Sequence, residues 1–411
     1  MSSSLLLLLS LAAVRGGTFD GYPKAHTILA RSTCTNNPAG PLNPLPHQTT
    51  CPPAVDDKTP PSKQKPWSFP PICVTSLDPA VTSKLCTFTV TTLRGGPGMS
   101  IITTPSVAAQ LSATLQDPDV AWLEKQRQSR LASSPPHPYS VQEIPGKALG
   151  MVATRAIRAG ETVLAELPVM IKIGDPGPWN RDAAVPVMIQ AAKRLPAADQ
   201  ARLLQMARQG GDRFIIDDIF ITNGFFVSVA GVDHTGVFPE AARLNHNCKP
   251  NCITRFSQRT LALEVVAYRD IAPGEELTHS YLPLNLPSLT RTSRMKNWGF
   301  TCTCPLCTAP IRERAESDVR RQRVDKILGG GNVSDDMRGA MAELEALARA
   351  EGLMAQLGDF WRILAEKGAD KNAEAAREVA GAALGVMRRY AGWDSVRAGR
   401  VEGLVERLRK T

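Results

Sequence analysis

The chain has 411 residues, 43% of them apolar, and a formal net charge of +9. Such a length predicts two or three domains, and the apolar share is that of a soluble globular protein. The basic excess is spread thinly, with no run of five or more Lys/Arg, so it reads as solvated surface and not as a nucleic-acid motif.

The N-terminus carries one short apolar core, Leu5 to Val14. It falls well below the roughly 20 residues a bilayer span needs, and no other segment reaches that length, so no transmembrane segment is expected. The core fits a signal peptide over residues 1–16, with Val14-Arg15-Gly16 as a cleavage site, although no Lys or Arg precedes it. This points to the secretory pathway, with nucleus or cytoplasm as the alternative. Residues 17–138 form a Cys/Pro-rich region, with eleven prolines between Pro38 and Pro71 that exclude helices and central strands there. Its four cysteines, Cys34, Cys51, Cys73 and Cys86, suggest two disulfides with all three pairings open. Residues 72–104 turn β-like and predict a hairpin around Gly95-Gly96-Pro97-Gly98. Val107 to Leu131 predicts one helix ending before Pro135-Pro136.

From Tyr139 to Met170 short β-type runs alternate with glycines. Ala184 to Arg208 predicts one or two amphipathic helices around Pro196, and Phe214 to Phe238 reads as mixed and loop-rich. Leu261 to Ala267 is a clear strand ending in the turn Ala272-Pro273-Gly274. After Cys307 the composition shifts to Ala, Glu, Arg and Leu. Helices are expected over Arg312–Leu328, from a Ser334 cap with Met341, Leu344, Leu347 and Ala348 as the apolar face, then over Leu353–Glu366, Asn372–Tyr390 and Ser395–Leu408. These can pack as helical hairpins.

Four segments carry chemistry. Cys302-x-Cys304-x-x-Cys307 can wrap one face of a tetrahedral zinc ion; the bland alternative is three buried or oxidised cysteines. A fourth ligand has to return through the fold, since Cys248 and Cys252 are both remote in sequence. Arg243 to Asn251 is a polar loop with a proline and no periodicity, whose amides must be satisfied by side chains or a ligand. Cys248, beside Asn245-His246, offers the missing thiolate. Gly274 to Tyr281 leads from a turn into a strand end that presents Tyr281. Gly146 to Gly150 places glycines where a backbone can approach a ligand, without the spacing of a dinucleotide fingerprint.

In this order the four segments resemble the SET domain of protein lysine methyltransferases. Gly146 to Val163 is similar to its opening Gly-x-Gly-Leu-Gly and following strand, and Val237 to Asn251 to its Asn-His-x-Cys-x-Pro-Asn motif. Leu261 to Tyr281 resembles its strand, turn and catalytic tyrosine, and Phe300 to Cys307 its post-SET zinc motif. The resemblance covers Tyr139 to Thr308, about two-fifths of the chain. The helical insert and C-terminus are most similar to the SMYD-type branch and its fungal relatives. Here the chain lacks cysteines between Cys86 and Cys248, and so lacks that branch's MYND finger. Ala148 stands where glycine is common, Asn247 where serine is usual, and Trp298 where a second tyrosine is expected.

The resemblance implies an α+β fold: a SET domain of several small sheets with a threaded, pseudoknot loop over residues 139–285, with a helical insert at about 180–210. A post-SET zinc loop over 286–310 and an all-helical region over 311–411 would follow. It implies transfer of a methyl group from S-adenosylmethionine to a lysine side chain of a protein substrate, histone or non-histone. Tyr281 would be catalytic. Lys147, Ala148, Leu149, Gly150, Asn245 and His246 would hold the cofactor, with Trp298 or Phe300 stacked on its adenine. Cys248, Cys302, Cys304 and Cys307 would bind a structural zinc, leaving Cys252 dispensable. The alternative function is a non-catalytic SET-fold interaction module.

Overall fold

The computed structural model describes residues 65–76, 82–120, 137–174, 181–210, 214–329, 336–392 and 394–410. The signal-like segment, Cys34, Cys51, the far end of the helix expected to reach Leu131, and Ser334 lie outside the described residues.

The first strands are β1 (Ile72–Thr75), β2 (Lys84–Val90) and β3 (Met99–Thr103). The hairpin expected over 72–104 is β2–β3, with β1 added on the other side of β2. In that register Cys73 lies opposite Cys86, and the two form a disulfide, which settles one of the pairings left open by the sequence. Helix α1 (Pro105–Gln116) buries Val107, Ala108, Leu111 and Leu115. The one helix expected here is broken at Asp117, with Pro118–Val120 helical again. Asp117 is extended because Pro118 follows, and a residue before proline is pushed out of the helical region.

Strands β4 (Tyr139–Ile144), β5 (Ala148–Ala153), β6 (Thr162–Glu166) and β7 (Met170–Ile173) follow. The helical insert is α2 (Arg181–Lys193) and α3 (Ala197–Leu204), split at Pro196, then α4 (Ile215–Asn223). Residues read as loop-rich, Phe214 to Phe238, are instead α4 and a tight hairpin of β8 (Gly224–Val229) and β9 (Val232–Val237). The turn places Ala230 at φ 51° and Gly231 at φ 76°, the left-handed pair that a two-residue hairpin needs. Ala-Gly does not announce such a turn as Asn-Gly would.

The strands β10 (Asn245–His246), β11 (Cys252–Phe256), β12 (Leu263–Ala267) and β13 (Glu276–His279) complete three sheets. Their orders are β1-β2-β3-β7-β9-β8, β10-β13-β5-β4 and β11-β12-β6. The strand expected over 261–267 begins two residues late, because Leu261 takes a left-handed φ of 62°. One apolar core fills the space among the sheets, and a second lies between the six-stranded sheet and the helical insert.

The C-terminal part is helical: α5 (Ser288–Met295), the single turn α6 (Pro305–Thr308), α7 (Ile311–Gly329), α8 (Met337–Glu351), α9 (Leu357–Gly368), α10 (Ala373–Tyr390) and α11 (Val396–Lys410). Asp336 caps α8, accepting from the amide of Gly339 at 2.8 Å. Asn372 caps α10 in the same way at 3.0 Å. The apolar faces of α7 to α11 close on one another in a third core containing Leu344, Trp361, Val379 and Met387. Val266 and Tyr268 meet Ala355 and Tyr390 in a smaller cluster that joins the sheets to the helices. No described helix is long and apolar enough to cross a membrane.

Candidate active site and metal centre

The polar loop at Arg243 to Asn251 folds because the strand beside it satisfies its backbone and side chains. β10 pairs in parallel with β13, with Asn245 opposite Thr278 and His246 opposite His279. The amide of Asn247 donates to the His279 carbonyl at 3.0 Å. Asn251, which is buried, donates through Nδ2 to the Glu276 carbonyl at 2.9 Å and accepts from the Thr278 amide at 2.8 Å. Ahead of the loop, the buried Glu166 accepts from the amides of Glu240 and Ala241 at 3.0 and 2.9 Å, capping the turn Ala241–Arg243. Asn251 and Glu166 were not singled out from the sequence. Asn251 sits inside the motif, but Glu166 gives no sign of its role without the fold.

Tyr281 lies two residues beyond the end of β13. Its hydroxyl donates to the Leu244 carbonyl at 3.0 Å, and its amide donates to His246 Nδ1, also at 3.0 Å. The rings of Trp298, His279 and His246 lie with centroids 4.9, 5.0 and 5.3 Å from it, and Phe300 at 6.4 Å. Burial raises the phenol above its usual range, and the Glu276 carboxylate adds to this, so Tyr281 keeps its proton at neutral pH. Three sequence-predicted residues, His246, Trp298 and Phe300, are thus brought around the fourth, Tyr281.

The glycine-rich opening lies across the sheet from them. β5 pairs with β13, and Asn245 Nδ2 donates to the Leu149 carbonyl at 3.3 Å and to Glu276 Oε1 at 2.9 Å. The other oxygen of Glu276 takes Lys147 Nζ at 2.6 Å. Glu276 therefore ties Lys147 to Asn245, a link the sequence reading missed although Glu276 lies in the segment leading to Tyr281. Gly150 is required for this approach: a Cβ there would stand 2.6 Å from Asn245 Nδ2. Ala148 departs from the glycine of the resembling motif, and the backbone records it as a left-handed φ of 60°. Ala148→Gly should raise stability by about 1 kcal/mol, since a left-handed non-glycine residue costs roughly that much; a denaturant midpoint no higher than wild type would contradict this.

The four thiols meet as the spacing implied. Cys248, Cys302, Cys304 and Cys307 have their sulfur atoms within 4.8 Å of one another. Cys304 is the N-cap of α6, and i,i+3 spacing returns Cys307 to the same side. Cys248 Sγ lies 3.5 Å from Cys307 Sγ and 4.0 Å from Cys302 Sγ. Cys252 lies on β11 outside the cluster, its thiol pushed up to about 12 chiefly by burial. Left to themselves the clustered thiols cannot all ionise: hydrogen bonds from its neighbours, Cys302 first, raise Cys248, while those led by Cys248 lower Cys304. A divalent cation removes that conflict by stabilising every thiolate, and a four-sulfur set at this spacing suits zinc.

His246 joins the two centres. Its Nδ1 accepts from the Tyr281 amide, so the ring proton belongs on Nε2, which faces Cys248 Sγ at 3.2 Å. Burial, reinforced by Lys147 and Arg291 against the opposing Cys304, pushes its pKa down to about 4. The neutral ring thus donates to the thiolate and accepts from the backbone of the tyrosine, as an outer-shell histidine does at a metal site.

Residues 148–282 match the SET domain family. The N-lysine methyltransferase SMYD2-B of Danio rerio is 36% identical over 132 residues, 31% of this chain and 30% of that protein. The N-lysine methyltransferases SMYD2 of Homo sapiens and Sus scrofa are each 38% identical over 102 residues, 24% of this chain and 23% of theirs. The chain carries a SET domain of several small sheets followed by an all-helical region, and that domain is SMYD-like. The matched stretch covers under a third of each of these relatives.

Proposed function

We propose that the chain is a protein lysine N-methyltransferase that uses S-adenosylmethionine and acts on a lysine of a histone or non-histone protein. The observation that carries the reading is Tyr281, held by backbone and hydroxyl bonds among the rings of His246, His279, Trp298 and Phe300, with its hydroxyl on the carbonyl of Leu244, the residue before Asn245. The chain's matched region is also similar to proteins named as N-lysine methyltransferases. When bound, S-adenosylmethionine supplies an electrophilic methyl group.

Backbone groups of Lys147, Ala148, Leu149 and Gly150, with Asn245 and His246, would hold the cofactor, with Trp298 or Phe300 against its adenine. At Gly150 the space a Cβ would take is already filled by Asn245 Nδ2 and Ile144 Cγ1, each 2.6 Å away, so the glycine lets Asn245 sit against β5, where its amide and the Leu149 carbonyl would offer polar groups to such a ligand. Tyr281 keeps its phenolic proton and, with its fixed backbone, offers a directed polar group to an incoming amine. The buried phenol of Tyr281 and the His246 and His279 rings beside it limit water at that point, which favours the neutral, nucleophilic form of that amine. The protein's contribution is mainly alignment. Zinc at Cys248, Cys302, Cys304 and Cys307 is structural in this reading, because all four positions of a tetrahedral ion would be taken by thiolates.

Two measurements on the full chain test this: cofactor binding by calorimetry, and transfer of labelled methyl to cell-extract proteins with identification of the modified residue. Asn245→Ala should weaken cofactor binding about tenfold, since it removes one polar contact of about 1.4 kcal/mol. Wild-type protein that binds no S-adenosylmethionine would leave the interaction-module reading in its place.

A further inference from the structure

We propose that Arg321 and Glu351, a buried ion pair in the C-terminal helices, are positioning residues that brace the zinc loop and the segment leaving Tyr281. The proposal rests on the metal reading of the four thiols. Arg321 on α7 and Glu351 at the end of α8 are each 1% exposed and meet at 3.0 Å. Glu351 is fully engaged: it also accepts from Ser317 Oγ at 2.5 Å and from Arg320 Nε at 2.6 Å. Such a pair is a poor stabiliser, because the cost of desolvating both charges about cancels their attraction. What distinguishes this one is where its remaining donors go.

Arg321 spends them on the SET domain. Nη1 donates to the Leu284 carbonyl, three residues beyond Tyr281, and Nη2 lies between the Cys248 and Glu351 carbonyls, 3.5 Å from each. The planar guanidinium spans two chain segments that share no covalent neighbour, which an ammonium group cannot do with one geometry. Two further contacts fall on the same segments. Leu284 packs against the helical core. After Glu351 the chain turns at Gly352 (φ 68°), so close to Lys249 that a Cβ would stand 2.8 Å from its Cγ. The helices therefore press on Cys248-Lys249 and on Leu284 from one side, while His246 links Cys248 Sγ to the Tyr281 amide on the other. Glu351 fixes the guanidinium, and the guanidinium fixes the two loops.

The test is zinc release from the full-length protein to excess colorimetric chelator, read beside the thermal midpoint. Arg321→Met/Glu351→Met removes both charges and should keep a midpoint near wild type while releasing zinc at least about tenfold faster, the scale at which outer-shell partners act on metal affinity. Arg321→Lys keeps the charge but not the fork, and should also release zinc faster; it serves alone if the double variant does not fold. Arg320→Ala also removes a bond to Glu351 but touches neither loop, and should release zinc as wild type does. Wild-type release rates in both Arg321 variants, or in Arg321→Lys alone where only it folds, would overturn the proposal. So would an acceleration in Arg320→Ala matching theirs. Wild-type protein containing no zinc would instead overturn the metal reading itself, a result distinct from either.

Discussion

Tyr281→Phe is expected to lower methyl transfer about a hundredfold while leaving S-adenosylmethionine affinity within about twofold, the pattern of a lost alignment and not of a lost binding contact. The substitution deletes one hydroxyl. In the resting protein that hydroxyl donates to the Leu244 carbonyl, so its loss should cost about 1 kcal/mol of stability, the ordinary worth of one hydrogen bond. The ring stays, and with it the contacts to Trp298, His279 and His246. The amide bond to His246 Nδ1 is backbone and is also unaffected. A drop in turnover with little change in midpoint or cofactor binding therefore reports on the hydroxyl alone. Asn245→Ala should show the opposite split, weaker binding first. Full turnover by Tyr281→Phe on an identified substrate would take the tyrosine out of the reaction and favour the interaction-module reading.

Much of the site could be read from the sequence because its parts are short, contiguous and chemically unusual. Cys302-x-Cys304-x-x-Cys307 needs only one helical turn to converge, and Asn245-His246-x-Cys248 lies within a single loop. What could not be read are the links between segments. Glu276 joins Lys147 to Asn245 only because β13 lies between β5 and β10. Glu166 caps a turn 75 residues away in sequence, and nothing near it in sequence distinguishes it from any other strand glutamate. The same holds for Arg321 and Glu351, which read as members of ordinary charged helices until both are found buried. Where the fold departs from the expectation, the local signal was weak or passed over. The β8–β9 turn is made by Ala230-Gly231 without the usual turn residues, and Pro118 breaks the expected helix at Asp117 before Pro118–Val120 turn helical again.

Cys248→Ser should abolish zinc binding, taking metal content of the purified protein from about one per chain to near zero, whereas Cys252→Ser should leave it unchanged. Serine keeps the size of the side chain but not the soft, ionisable sulfur, and a four-thiolate set tolerates little loss of ligand charge. Cys248 is the one member that comes from outside the 302–307 segment, so its loss also unties that segment from β10 and β13. The segment has little else to hold it. Cys302 and Cys307 are half-buried and Phe300 is exposed, while α6 is four residues long and cannot persist alone. Structural zinc in small motifs contributes on the order of 10 kcal/mol, far more than the local packing offers. Limited proteolysis should therefore cut Cys248→Ser between 296 and 310 under conditions that leave wild type intact. Because His246 passes from Cys248 Sγ to the Tyr281 amide, and Trp298 lies against the Tyr281 ring, the same variant should lose cofactor affinity as well as metal. Cys252, buried on β11 away from the other sulfurs, is the internal control. Zinc retained at wild-type content in Cys248→Ser, or lost equally in Cys252→Ser, would break the assignment of the four ligands.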